Sequence, residues 1–257
     1  MTNKNKDTKG IEEEKKDSKK DKLAKILEKA EKLKEKVEDA EDIDLKKKVK
    51  PEEEEKKKET LVPMEDYLKS SMHLGTRVIT PDMRKYVYRR RADGLAVFNT
   101  ALLDDLIREG AEYLSKFDPK DVIVVCKREA GWKAVQKFAE ITGIRAFTKK
   151  YPAGILTNTI LEDFIETELV FICDPWLDKN ALNDASRIKI PVLSICDTNN
   201  FTQNITKVIP GNNKSAKSLG MIFYLLTKIY TRNRGLNVEE LKIQDFVDDW
   251  DNLMPPK

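Results

Sequence analysis

Between Asp93 and Arg232 the chain keeps a regular beat: a short apolar run, a polar turn, then a longer stretch with apolar residues three and four positions apart. The runs are GLAVFN (94–99), DVIVVC (121–126), IRAF (144–147), ELVFICD (168–174), PVLSICD (191–197) and KVIP (207–210). Nearly unbroken apolar strands of this kind are buried on both faces of a parallel sheet. The stretches between them predict four helices. The first runs from Thr100 to Phe117, with Thr100 as its cap and Asp104 and Asp105 near its positive end. The others are Glu129 to Thr142, stopped by Gly143, then Lys179 to Arg187 and Ser215 to Arg232. Strands alternating with helices through right-handed crossovers give an α/β fold, a doubly wound three-layer α/β/α sandwich around a central parallel sheet of about five strands.

The front of the chain obeys a different rule. Residues 1–60 hold 20 Lys, no Arg and 19 acids, whereas residues 61–257 hold 17 Lys, 11 Arg and 26 acids. The first 20 residues are too polar to bury a core and are expected to be disordered. Leu23, Ile26, Ala30, Leu33, Val37 and Ala40 then predict a narrow amphipathic helix over about 21–40, either a docking helix or a solvated one. The expected division is a charged extension over 1–60, the α/β domain over 61–235 and an acidic tail over 236–257. A short helix from Glu65 to Ser71, ending near Gly75, opens the domain. The tail sets Ile243, Phe246, Val247 and Trp250 among acids. It suits either a grip on a basic neighbour or a fold back onto its own domain.

The net charge of +3 says little, but its placement says more. The stretch RVITPDMRKYVYRRR, residues 77–91, sets Arg77, Arg84, Lys85, Arg89, Arg90 and Arg91 against the single acid Asp82, with Tyr86 and Tyr88 interleaved. Arg forks bond phosphate oxygens two at a time and Tyr rings stack on unpaired bases, so the arm suits a polyanion. The plain alternative is a solvated loop with its aliphatic stems packed on the protein.

Catalytic chemistry is poorly equipped. The one histidine, His73, has no Cys, Asp or Glu set beside it and reads as a hydrogen-bonded side chain. No GxGxxG follows any strand, and GNNKSAKS (211–218) lacks the second Gly of a phosphate loop. A nucleotide-dependent α/β enzyme using Lys214, Asp174 and Asp197 is the alternative reading, against the plainer one that these residues cap turns at the strand ends. No cofactor and no metal are expected, and no small-molecule substrate. Cys126, Cys173 and Cys196 each close an apolar run and read as core residues of a reducing compartment. With no signal-peptide pattern and no span-length apolar stretch, a cytoplasmic protein that does not enter a membrane is expected.

Six collinear blocks carry a resemblance: HLGTRVITPDMRKYVYRRRADGLAVFN (73–99), GWKAVQKFAEITGIRAFT (131–148), PAGILTN (152–158), LVFICDPWLDKNAL (169–182), IPVLSICDTNN (190–200) and VIPGNNKSAKSLGMI (208–222). Together they resemble the small-subunit ribosomal protein two family in its archaeal and eukaryotic branch, which includes the laminin-receptor precursor. The resemblance implies a flavodoxin-like sandwich and a structural constituent of the small ribosomal subunit, without catalysis. It also implies small-subunit ribosomal RNA and neighbouring ribosomal proteins as partners, on cytoplasmic ribosomes. The RNA-contacting residues expected are Arg77, Arg84, Lys85, Tyr86, Tyr88, Arg89, Arg90 and Arg91, helped by Lys149 and Lys150. Those two lysines replace the family's usual Gly-Arg before the aromatic-Pro loop, so a contact there rests on charge and not on an Arg fork. The long acidic tail of the animal branch and the helical-hairpin insertion of the bacterial branch are absent, and the 60-residue front lies outside the shared core.

Overall fold

In the computed structural model, residues 61–236, 241–248 and 250 are described; the expected disorder and helix within 1–60 lie outside them. Five parallel strands form the main sheet: β3 (Val122–Cys126), β4 (Arg145–Thr148), β5 (Leu169–Ile172), β6 (Val192–Cys196) and β7 (Lys207–Pro210). Their spatial order is β4-β3-β5-β6-β7, the order of flavodoxin-like sheets, with its switch point between β3 and β5. Every residue of β3, β5 and β6 is buried, as their uninterrupted apolar character requires.

Successive residues in these strands serve two different cores. Val122, Val124, Leu169, Phe171, Leu193 and Ile195 face the larger one. It is completed by α2 (Thr100–Ser115), α3 (Trp132–Thr142) and α5 (Ala216–Arg234). At its centre Phe171 packs on Phe138 of α3 and Phe223 of α5, with ring centroids 6.4 and 5.5 Å away. Ile123, Val125, Val170, Ile172 and Val192 face the smaller core, covered by α4 (Lys179–Ile188) and by Tyr151, Ile155 and Leu156. The third layer is therefore one helix plus an irregular loop.

Three local expectations need correction. First, residues 95–98 do not join the parallel sheet. β2 (Ala96–Phe98) pairs antiparallel with β1 (Val87–Arg90) in a separate two-stranded sheet. The turn between them decides this: Gly94 takes a left-handed φ of +84°, its N–H bonds Arg91 O at 2.9 Å, and Arg91 N–H bonds Leu95 O at 2.8 Å. A four-residue reversal leaves no length for a parallel crossover. Second, α2 is capped one residue earlier. Asn99 Oδ1 accepts the Ala101 N–H at 3.1 Å, and Thr100 is the first helical residue. Asp104 is drawn off the helix end and buried, accepting bonds from the Tyr67 hydroxyl and, at 3.2 Å, from Leu61 N–H. Third, α1 (Met64–Ser70) stops at Ser71, itself left-handed at φ 54°, and Gly75 has another task.

The two readings of the tail are separated as far as the described residues go. Phe246 and Val247 are buried in the larger core, and Phe246 packs edge-on to Tyr224 of α5 with centroids 5.9 Å apart. That segment folds back on its own domain.

Candidate nucleic-acid interface

Ligands of doubly wound sheets usually bind beyond the carboxyl ends of the strands. Here the part of that edge beyond β6 and β7 is crossed by the chain itself. Residues 71–82 run across the ends of β6 and β7, held at each step. Asn212 takes the carbonyls of Met72 and Ser71 through its N–H (3.2 Å) and amide (3.3 Å). Thr76 N–H donates to Thr198 Oγ1 at 2.8 Å, Thr80 N–H to Thr198 O at 2.9 Å, and Thr80 Oγ1 to Asn200 O at 2.7 Å. Asp82 Oδ2 accepts both the N–H and the hydroxyl of Thr202 at 3.0 and 3.2 Å. Gly75 permits the closest approach, since a Cβ there would stand 2.8 Å from Thr198 Oγ1 and 3.2 Å from Asp197 Oδ1.

Beneath this strap the polar side chains answer one another. Arg128 pairs with Asp174, and Lys214 Nζ lies 3.3 Å from Asp197 Oδ2. Asn200 is the hub: its oxygen accepts Asp197 N–H at 2.7 Å and the Asn213 amide at 3.1 Å, and its own amide donates to Asp174 Oδ1 at 3.3 Å. Asp174 and Asp197 also accept the N–H of Trp176 and Thr198 at 3.0 and 2.6 Å, the turn-capping role. Burial pushes the Asp197 carboxyl up, opposed by Thr198 N–H and the Lys214 charge. Asp178 is pushed up to about 7, first by burial and then by the Asp174 charge, against the Lys127 N–H it accepts. The three residues of the nucleotide alternative, Lys214, Asp174 and Asp197, are thus engaged within the domain. Among the described residues no cluster of His, Cys, Asp and Glu suits a metal ion. His73 Nδ1 lies 3.1 Å from Tyr67 O, and burial followed by the Arg91 charge lowers its pKa.

The strap leads into the basic hairpin. Met83, fully buried, roots it, and a short 3-10 turn over Arg84–Tyr86 leads into β1. Arg77, Arg84, Lys85, Arg89, Arg90 and Arg91 are all exposed. Among the described residues Arg91 is paired, 3.4 Å from Asp93, while Arg77, Arg84, Arg89 and Arg90 have no ion-pair partner. The two tyrosines part company. Tyr88 is 70% exposed, whereas Tyr86 packs against the larger core with the Lys85 ammonium 4.9 Å from its ring centre. Ile79, Thr80, Pro81, Arg84, Val87, Arg89 and Arg90 line an open groove of about 610 Å³ on this hairpin.

Lys149 and Lys150 do not join that cluster. They follow the edge strand β4, three strand spacings or about 14 Å from β6, and Lys149, at φ 70°, sets its ammonium 5.6 Å from the Trp132 ring centre. The strap and its threonine anchors were missed from the sequence, and so was the hairpin; Asp93-Gly94, a recognised hairpin signal, pointed to the latter.

The domain is thus an α/β sandwich whose strand-end charges Arg128, Asp174, Lys214 and Asp197 are paired within it and whose exposed arginines gather at and beside the hairpin. Comparison with known proteins gives the family. The family model for ribosomal protein S2 matches residues 161–232. The small ribosomal subunit protein uS2 of Nanoarchaeum equitans is 43% identical over 187 residues, 72% of this chain and 93% of that protein. The protein of the same name from Ignicoccus hospitalis is 41% identical over 182 residues, 70% and 86% of the two chains. That from Thermoplasma acidophilum is 35% identical over 193 residues, 75% and 97%. The chain belongs to the ribosomal protein S2 family, structural proteins of the small ribosomal subunit and not enzymes. Among the described residues no helix is long and apolar enough to cross a membrane.

Proposed function

We propose that this chain binds small-subunit ribosomal RNA through its hairpin, and that with neighbouring ribosomal proteins it supports subunit assembly and translation in the cytoplasm. In this reading residues 61–235 are the ribosomal domain and residues 1–60 a charged extension. Arg77, Arg84, Lys85, Arg89, Arg90 and Arg91 neutralise phosphates and Tyr88 offers a ring for stacking, while Tyr86 serves by holding Lys85 and the base of the hairpin. Lys149 and Lys150 form a second, separate phosphate contact at the far edge of the sheet. The observation that carries the reading is the absence of ion-pair partners for Arg77, Arg84, Arg89 and Arg90 among the described residues. Their charges are left over for an outside anion, and Arg suits phosphate geometry.

The test is rebinding to small subunits stripped of this protein, followed over a salt series. Replacing Arg77, Arg84, Arg89 and Arg90 by Ala together should weaken rebinding and make the salt dependence shallower. The log-log slope should fall by about 0.7 to 0.9 for each phosphate no longer neutralised. Rebinding as tight as the original at every salt concentration would remove the hairpin from the interface.

A further inference from the structure

The groove on the hairpin is built differently from a plain phosphate track. Its lining combines the cations Arg84, Arg89 and Arg90 with the apolar residues Ile79, Pro81 and Val87 and with Thr80. Backbone phosphates alone require only the cations. In the hairpin β1 and β2 pair Val87 with Phe98, Arg89 with Val97 and Arg90 with Ala96, so Tyr88 is the extra residue of a β-bulge. Regular alternation sends neighbouring side chains to opposite faces, and a bulge re-aims them. Here the bulge falls between Val87 and Arg89, which line the groove together with Arg90, and leaves Tyr88 70% exposed.

We propose that this groove takes a single unstacked nucleotide of RNA, its base lying on Ile79, Pro81 and Val87 and its flanking phosphates held by Arg84, Arg89 and Arg90. The inference rests on the RNA-binding reading above and narrows it to bulged or looped segments. The groove volume of about 610 Å³ lies within the roughly 300–1,000 Å³ of small-ligand sites, enough for a base with its ribose. Arg planes and apolar side chains are the usual partners of bases splayed out of a helix. An acidic protein segment would satisfy the cations but leave Ile79, Pro81 and Val87 without a stacking partner.

The probe is a pair of RNA duplexes of the same sequence, one perfectly paired and one carrying a single unpaired 2-aminopurine nucleotide, each titrated with the full-length chain. The bulged duplex should bind about tenfold more tightly, with a saturable change in 2-aminopurine fluorescence. Val87→Trp, which enlarges an apolar lining residue and leaves every charge in place, should bring the bulged duplex down to the affinity of the paired one without altering the salt slope. Ile79→Phe, filling from the other wall, gives the same reading should Val87→Trp fail to fold. Equal binding of both duplexes would overturn the nucleotide site while leaving a phosphate-binding hairpin intact. Binding of neither would overturn the hairpin reading as well. Should a poly-glutamate peptide bind in a manner sensitive to Val87→Trp while the two duplexes bind alike, the groove belongs to a protein partner.

Discussion

The strand-end edge and the hairpin are made of the same kinds of residue and behave in opposite ways. At the strand ends Arg128 meets Asp174, Lys214 meets Asp197 and Asn200 ties the two acids together. On the hairpin and the strap beside it, Arg77, Arg84, Arg89 and Arg90 meet no acid among the described residues. A buried charge is tolerable only when it is paired or neutralised, whereas an exposed one needs no partner. Residue type therefore does not separate scaffold from interface in this domain; satisfaction does. Changes at the strand ends should cost stability and leave the salt dependence of RNA binding alone, and changes on the hairpin should do the reverse.

The largest effect belongs to Asp178. Its carboxyl is pushed up to about 7 from an ordinary value of 3.8, and Oδ2 has no hydrogen-bond partner among the described residues. Between those two values the folded chain keeps a proton that the unfolded chain releases, so this group's penalty grows as pH rises from about 4 to about 7 and is constant above. At ~1.4 kcal/mol per pH unit the loss is about 4 kcal/mol. Asp178→Asn keeps an oxygen for the Lys127 N–H and removes the titration, so the variant should gain on the original steadily as pH rises. Urea unfolding at pH 4, 6 and 8 measures this, and a constant difference between the two proteins would sink it.

Asn200→Ala comes next. It strands the buried Asp197 N–H and deprives Asp174 and Asn213 of a partner, a loss of about 3 kcal/mol. At ~2–4 °C per kcal/mol for a domain of this size, the melting temperature should fall by roughly 10 °C. Gly75→Ala forces a methyl against Thr198, whose hydroxyl is already committed to Thr76 N–H. It should cost about 1–3 kcal/mol and loosen the strap, which faster amide exchange at Thr76 and Thr80 would reveal. Unchanged exchange there would mean that the strap is not held by this close approach.

The parallel sheet was legible because its strands carry their own signature. β3, β5 and β6 are almost wholly apolar, and β7 falls on KVIP without a shift. Gly143 stops α3 in the left-handed conformation its position suggested. The hairpin was not legible for a related reason, since Leu95 to Phe98 has the composition of a buried parallel strand and only the Asp93-Gly94 turn contradicts it. The cap of α2 slipped by one residue because Asn99 and Thr100 are both good caps. The strap had no local signal at all: its bonds join Thr76 to Thr198 and Asp82 to Thr202 across more than a hundred residues, and nothing in either segment names the other. The six bases could be picked out from the chain, but which of them are left unpaired is a fact of the tertiary structure.

The smallest effect lies inside the hairpin, where satisfied and unsatisfied charges stand side by side. Arg90 and Arg91 are adjacent, equally charged and both exposed, yet Arg91 lies 3.4 Å from Asp93 while Arg90 has no such partner among the described residues. An exposed pair of this sort contributes about 0–1 kcal/mol, so Arg91→Ala and Arg90→Ala should each change folding stability by no more than about 1 kcal/mol. Binding should tell them apart. Arg90→Ala should make the salt dependence of RNA binding shallower by the full ~0.7 to 0.9 of one phosphate contact. Arg91→Ala should give a smaller change, because Asp93 already offsets part of its charge. Equal slopes for the two variants would show that freedom from an internal partner is not what selects the residues that meet the anion.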